Sequence, residues 1–213
     1  MAMSNYKSTC FWAVAVFFLT FTTIVKAQEG AERLPLVVTV CNNATLLPGS
    51  GKLGVFGIPV HPGFTVGTAF RYNQHPQNEL FQTATLGYHY HHYVQHSLRL
   101  YSEFGYRRHF KSPWDAGTRL GIGYLHSIPD HQIFELDSEG RYQKQSSWGR
   151  PQFMASLAVE AGYSIPNRND TNFRLFVAYQ FYLQMPFVQE YVPLMPNTAF
   201  HLGVALPFFY TKK

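Results

Sequence analysis

The chain is patterned by alternation of apolar and polar side chains, most clearly over residues 171–185 (TNFRLFVAYQFYLQM). Successive side chains of a strand point to opposite faces, so a period of two predicts a β-strand. On a helix, Arg174 would share a stripe with Ala178 and Phe181, which is not an amphipathic surface. The stretch is also long enough to cross a bilayer as a tilted strand, which takes roughly 9–11 residues. Its wholly apolar face consists of Phe173, Leu175, Val177, Tyr179, Phe181 and Leu183.

The same alternation recurs in six further segments, so seven strands are predicted after residue 62. Single-chain bacterial barrels have even strand numbers, so we expect an eighth strand within residues 28–62, at 34–41 or at 53–60. The predicted fold is all-β, an antiparallel up-and-down transmembrane β-barrel of eight strands, with residues 63–213 as its main part. The six segments are 63–72, 80–91, 94–107, 116–126, 151–163 and 199–208.

The predicted links between strands are short at one end of the barrel and mostly long at the other, where the tight link at 91–94 is the one deviation. If both termini share one end, the short links at 73–78, 110–114 and 166–171 join them there. The long links at 127–150 and 186–197 then lie at the opposite end, and the first of them could contain a small hairpin around Gly140. In outer-membrane barrels the short turns are periplasmic and the long loops are external. The pattern therefore predicts periplasmic termini.

Residues 1–27 have the three parts of a secretory signal peptide. Lys7 precedes the apolar run FWAVAVFFLTFTTIV, and Val-Lys-Ala ends at Ala27, after which cleavage is expected. The alternative is a membrane anchor, but a spanning helix needs roughly 20 apolar residues. Loss of Lys7 and Lys26 would lower the formal charge from +5 to +3 and leave Cys41 without another cysteine. This mild charge, without a basic cluster, predicts no nucleic-acid partner.

Composition agrees with a membrane barrel. Apolar residues make up 46% of the chain, aromatic residues 17% and charged residues only 14%. The alternating strands and the aromatic final strand resemble the small outer-membrane barrels of the OmpA/OmpX type, over residues 63–210, in a style similar to uncharacterised barrels of Bacteroidota. The resemblance implies the outer membrane of a Gram-negative bacterium, with its lipids as partners. It also implies that Phe208 or Tyr210 addresses the last strand to the barrel assembly machinery, although three residues follow Tyr210.

Charged residues on the predicted inward faces are the first candidate site. An eight-stranded barrel is only wide enough for its own side chains to fill, and buried charges must be paired. We therefore predict a salt-bridged lumen network. The alternative is that the arginines, which outnumber these acids, hold an anionic ligand or a lipid phosphate. The network consists of Arg99, Glu103, Arg107, Arg119, Glu160 and Arg174, and Arg71 is predicted to face inward as well.

Histidines form the second candidate site, near the predicted external end. His89 and His91 share the inward face of one strand, which makes them weak candidates for metal or haem capture. The alternative is an interfacial belt of histidine and tyrosine. We predict no cofactor. The histidines at this end are His61, His89, His91, His92, His96, His126 and His131.

No catalytic residue is predicted. Outer-membrane lipid A deacylases use a His-x-Ser pair, in which the histidine activates the serine. Here histidine meets serine only as His96-Ser97 and His126-Ser127, whose members face opposite sides of a strand. The leading interpretation is a non-enzymatic outer-membrane barrel whose external loops carry any binding. The alternatives are an outer-membrane lipid hydrolase and a soluble lipocalin-like barrel with its apolar faces turned inward.

Overall fold

The structure is a computed structural model that describes residues 34–45, 47, 60–92, 94–130, 133–136, 140, 142–145, 148–166, 173–187 and 193–209. The predicted signal peptide, most of the alternative first strand at 53–60, His131 and Tyr210 lie outside these residues. The part of the chain between Leu34 and Phe208 forms one compact unit. Among the described residues, no helix is long and apolar enough to cross a membrane.

Eight antiparallel strands close into a barrel, which confirms the predicted fold. Around the barrel the order is β1, β2, β3, β4, β5, β8, β9, β10 and back to β1, while β6 and β7 pair separately as a hairpin. The first strand is the segment predicted at 34–41, extended to Ala44. The strands are β1 (Leu34–Ala44), β2 (Pro62–Arg71), β3 (Asn78–His91), β4 (Gln95–His109), β5 (Trp114–Pro129), β6 (Ile133–Leu136), β7 (Tyr142–Gln145), β8 (Arg150–Ile165), β9 (Phe173–Met185) and β10 (Met195–Phe209).

The two ends of the barrel differ in their links. At the end that holds Leu34, here called the short-loop end, strands are joined by residues 72–77, 110–113 and 166–172. At the opposite, long-loop end, the links are residues 45–61, 92–94, 130–149 and 186–194. The β6–β7 hairpin lies in the 130–149 link, where the sequence predicted one, and Gly140 has a φ of 76°. That left-handed conformation favours glycine.

Alternation decides which side chains line the interior. On β9, Val177 is 41% exposed, whereas Ala178, the next residue, is 2% exposed. The interior is so narrow that large inward side chains lie over glycines of the neighbouring strand. A Cβ on Gly105 would stand 2.4 Å from the Phe81 ring, and one on Gly123 would stand 2.3 Å from Tyr101 Cβ. These inward glycines are therefore required by packing, because a larger residue would collide with the neighbouring side chain.

The outer surface carries an apolar band with aromatic residues near both ends. The central band is aliphatic and exposed, and it includes Val66, Leu86, Leu100, Leu120, Ile122, Leu157, Val159, Val177 and Leu202. Aromatic side chains of the short-loop end are Tyr72, Tyr106, Phe110, Trp114, Tyr163 and Phe173. Those toward the long-loop end are Phe64, Tyr88, Tyr90, Tyr124 and Phe153.

The outward face can be tested with neighbouring substitutions on β9. Val177→Arg should destabilise the barrel in lipid vesicles by about 2–4 kcal/mol, because it places a charge in the apolar band. Ala178→Ser should have almost no effect, since Ala178 faces the polar interior. Urea unfolding of both variants measures the difference. Equal stabilities would contradict the outward assignment of Val177.

Candidate functional site

The polar side chains of the interior form three layers, whose order can be followed along β4. Gln95 lies in an amide layer at the long-loop end, Arg99 lies in the middle, and Glu103 and Arg107 belong to an ionic network toward the short-loop end. Gln95, Arg99 and Glu103 are each 2% exposed or less. Backbone register therefore stacks three chemically distinct sets of side chains inside one barrel.

Glu160 is the centre of the ionic network. Its carboxylate lies 2.8 Å from Arg107 Nη2, 3.3 Å from Arg119 Nε and 2.8 Å from Arg174 Nη2. The residues opposite Glu160 in the register are Gly117 on β5 and Ala178 on β9. Because both are small, the three long arginine side chains can reach the same carboxylate. Charge-assisted hydrogen bonds of this kind are the strong ones in proteins.

Glu103 forms a second carboxylate centre, nearer the middle of the barrel. Its Oε2 lies 3.3 Å from Arg119 Nη1. Its Oε1 accepts hydrogen bonds from Ser156 Oγ at 2.9 Å and from Gln180 Nε2 at 2.8 Å. Arg119 thus bridges Glu103 and Glu160, and the two carboxylates are parts of one network.

Two acidic residues that sequence analysis missed complete this network. Asp115 accepts hydrogen bonds from both Nη2 and Nε of Arg174, the shortest of which are 2.5 Å and 2.9 Å. Glu79 lies 3.0 Å from Arg107 Nη1 and 2.7 Å from His109 Nε2. The predicted strands began at residues 80 and 116, one position after each acid. Extending the alternation by one residue would have placed both acids on the inward face.

The structure brings together five of the six residues predicted for the lumen network and leaves one apart. Glu103, Arg107, Arg119, Glu160 and Arg174 are joined by ion pairs. Arg99 is separate, since no ion pair connects it to a carboxylate in the described part of the chain.

Arg71 lies at the short-loop edge of the interior. It is near the short-loop end, where its Nη2 donates to the carbonyl of His75 at 2.7 Å. Arg71 therefore lies at the mouth of the barrel. The arginines paired with Glu160 are Arg107, Arg119 and Arg174.

The amide layer closes the interior near the long-loop end. Gln184 Nε2 donates to Gln152 Oε1 at 2.5 Å, and Gln95 Nε2 lies 3.2 Å from Gln184 Oε1. Asn197 Nδ2 adds a contact of 3.4 Å to Gln184 Oε1, and Ser127 Oγ donates to Gln95. These side chains come from β4, β5, β8, β9 and β10, so the layer ties most of the barrel wall together.

The histidines of the long-loop end do not assemble a metal site among the residues that the structure describes. His89 is fully buried, whereas the His91 ring stacks on His61 with centroids 3.6 Å apart. Two others lie outside the interior and bond to tyrosine. His96 Nδ1 lies 2.8 Å from Tyr88 Oη, and His126 Nδ1 lies 2.9 Å from Tyr124 Oη.

The two His-Ser neighbours are separated as the alternation predicts. Ser97 and Ser127 face the interior and are buried. His96 instead lies 3.3 Å from Asp130, and His126 Nε2 lies 2.8 Å from the carbonyl of Trp148, on the other side of the wall. Neither histidine can therefore activate its neighbouring serine.

Comparison with known proteins finds similar folds at low identity. No protein-family model matches the chain, and no curated protein matches it significantly. The outer membrane enzyme PagL is 12% identical, with 82% of this chain and 99% of PagL covered and a TM-score of 0.44. Neisserial surface protein A is 10% identical, with 84% of this chain and 100% of that protein covered and a TM-score of 0.44. Ail, the attachment invasion locus protein of Yersinia pestis, is 11% identical, with 82% of this chain and 98% of Ail covered and a TM-score of 0.44. The likeness extends no further than the fold.

Removing the Glu160 carboxylate should lower the free energy of unfolding of the barrel. Glu160→Gln leaves three buried arginines to share the remaining acids, and breaking a buried pair typically costs about 3–5 kcal/mol. We expect a loss of this size in urea unfolding in lipid vesicles. Arg108→Gln, on an exposed position of β4, is the control and should change stability by less than about 0.5 kcal/mol. A Glu160 variant as stable as this control would show that the network does not hold the barrel together.

Proposed function

We propose that this protein is an integral outer-membrane β-barrel of a Gram-negative bacterium, with a closed interior and a non-enzymatic role. In this proposal its long-loop end faces outward and carries a binding function. The observation that supports it is the reversed distribution of polarity. The charges are inside the barrel, and large apolar side chains such as Leu120 and Ile122, at 67% and 66% exposure, are outside.

A membrane is the environment that suits this outer surface. Soluble monomers rarely expose contiguous apolar patches larger than a few hundred Å². Transmembrane barrels carry an apolar band flanked by aromatic girdles at both interfaces. Trp114 and Tyr163 pack edge to face at the short-loop end, with ring centroids 5.1 Å apart, while Phe64 and Tyr88 pack toward the long-loop end. The lipocalin-like alternative required apolar faces inside, where the structure has its charges.

The filled interior supports a role other than general diffusion. A barrel of eight strands is only wide enough for side chains to fill, whereas porins of 16–18 strands leave an aqueous channel. Here the ionic network and the amide layer each cross the interior, since Gln180 and Gln184 on β9 bond to Glu103 and Gln95 on β4. Binding is therefore proposed for the outside of the barrel and not for a pore.

The long-loop end offers a suitable surface for a partner. Trp148 is 89% exposed and Tyr142, at the start of β7, is 73% exposed. Both lie in the 130–149 link. The carbonyl of Trp148 is hydrogen-bonded to the His126 ring on β5, which fixes the end of the link to the barrel wall. Exposed tryptophan and tyrosine are enriched in protein interfaces, because they bury a large area at little cost in conformational entropy.

The proposal also includes the route to the membrane. Phe208 lies in β10, the last strand, and is proposed to address the chain to the barrel assembly machinery. Tyr210 is the second candidate and lies outside the described residues. The surrounding outer-membrane lipids then cover the apolar band.

Cell fractionation, followed by trypsin digestion of intact cells, tests location and orientation together. We expect recovery in the outer membrane and a change in gel migration on boiling, as for a detergent-resistant barrel. Trypsin added outside should cut at Arg141 or Lys144, both in the 130–149 link. Lys111, in the short link at residues 110–113, should be cut only after the periplasm is opened.

An Arg141→Gln/Lys144→Gln variant should lose the cleavage within the 130–149 link, whereas Lys111→Gln should keep it. Lys52, in the 45–61 link, is a further external trypsin site and gives a different fragment. Recovery in a soluble fraction would overturn the proposal. Cleavage at Lys111 in intact cells would reverse the orientation and place the short-loop end outside.

The barrel should fold without the tip of its longest link. Replacing residues 131–147 with a short Gly/Ser linker removes β6 and β7 but keeps Trp148 and every strand of the closed sheet. We expect an unchanged shift on boiling, because the hairpin adds no strand to the barrel. Loss of that shift would show that the hairpin is part of the fold and not an appended binding element.

A further inference from the structure

Arg99 is a buried cation that the ionic network does not neutralise. Its side chain has no exposed surface, and Nη2 lies 4.0 Å from Cys41 Sγ. Nε and Nη1 have no hydrogen-bond partner among the residues that the structure describes. A charge removed from water in this way is strongly disfavoured unless another group compensates it. The arginine therefore needs a partner that the described residues do not supply.

Two further polar side chains beside Arg99 are also buried without a hydrogen-bond partner among the described residues. Ser97 and His89 are fully buried. Within the described part of the chain, neither Ser97 Oγ nor either ring nitrogen of His89 has a hydrogen-bond partner. The register pairs His89 with Ser97 and Gly87 with Arg99. The three side chains thus project into the interior from adjacent rungs of β3 and β4. We call this group the arginine chamber.

Glycine and aromatic residues shape the chamber. A Cβ on Gly87 would lie 3.5 Å from Arg99 Nε, so the guanidinium lies over the bare backbone of β3. The rings of Tyr101 and Tyr182 lie 5.8 and 5.1 Å from Arg99 Cζ. Tyr182 also contacts the His89 ring, with centroids 6.5 Å apart. These rings and the backbone of Gly87 thus surround the guanidinium of Arg99.

Glu103 and His201, two polar residues near the chamber, already have other partners. Glu103 lies four residues further along β4, but Arg119, Ser156 and Gln180 already bind it. His201 is bonded to Thr39 at 3.1 Å and to Gln180 at 3.3 Å. The remaining unpartnered groups include hydrogen-bond donors on Arg99, Ser97 and His89.

We propose that the arginine chamber binds a small inorganic anion of about the size of chloride. The guanidinium supplies the charge, and the Ser97 hydroxyl and a ring N–H of His89 supply further donors. The proposal names a small anion because an eight-stranded barrel is only wide enough for its own side chains to fill. The site is independent of the proposed binding at the long-loop end.

Bromide, as a probe of similar chemistry, tests the proposal on the full chain refolded in lipid vesicles. Urea unfolding is compared in sodium bromide and sodium gluconate at equal ionic strength. A site that is present only in the folded state lowers the unfolding constant about a hundredfold when bromide reaches 100 times its dissociation constant. Arg99→Met should lose this dependence, and Arg108→Gln, exposed on the same strand, should keep it. Anomalous scattering from bromide-soaked crystals should place the ion against Arg99.

Water alone in the chamber gives a different result. Wild type would then show no bromide dependence, and Arg99→Met would be more stable in both salts, because it removes an uncompensated buried charge. That outcome overturns the proposal. If Arg99→Met does not fold, Ser97→Ala and His89→Gln serve instead. Each should weaken bromide binding about tenfold or more, as expected for a lost hydrogen bond to a charged group. Unchanged binding in both variants also overturns the proposal.

Discussion

Closure of the sheet is the constraint on which the rest of this structure depends. In hydrocarbon every backbone N–H and C=O must find a partner inside the protein, and a sheet can achieve this only without free edges. The chain meets the requirement by pairing β1 with β10, its first and last strands. Eight strands then fix the diameter, and the diameter decides what the interior can hold.

Such a narrow interior forces charges to compensate one another. Glu160 forms ion pairs with three arginines, because the small residues opposite it, Gly117 and Ala178, leave room for their side chains. Glu103, Asp115 and Glu79 extend the network until most inward arginines have an acid nearby. Arg99 differs from Arg107, Arg119 and Arg174, because no carboxylate among the described residues forms an ion pair with it. The proposed anion would supply the missing charge.

We attribute stability to the interior of the barrel and propose binding for its long-loop end. The ionic network and the amide layer connect several strands, and we attribute stability and closure to them. The long-loop end exposes Tyr142 and Trp148, where no barrel packing requires them. The chain thus separates a rigid, polar interior from an outer end on which a binding function is proposed.

The sequence by itself determined the strands and their faces, because a period of two assigns every side chain to one side of a sheet whatever its neighbours are. It therefore predicted Val177 outside, Glu160 inside and the separation of Ser97 from His96. It left the first strand open between two segments, and it missed Glu79 and Asp115, because alternation is weakest at strand ends.

Only the tertiary structure decided which inward charges meet. That depends on the stagger between strands, which brings Arg107, Arg119 and Arg174 to one carboxylate and leaves Arg99 without an acid. A single strand carries no information about this stagger. It is fixed only when eight strands close into one barrel.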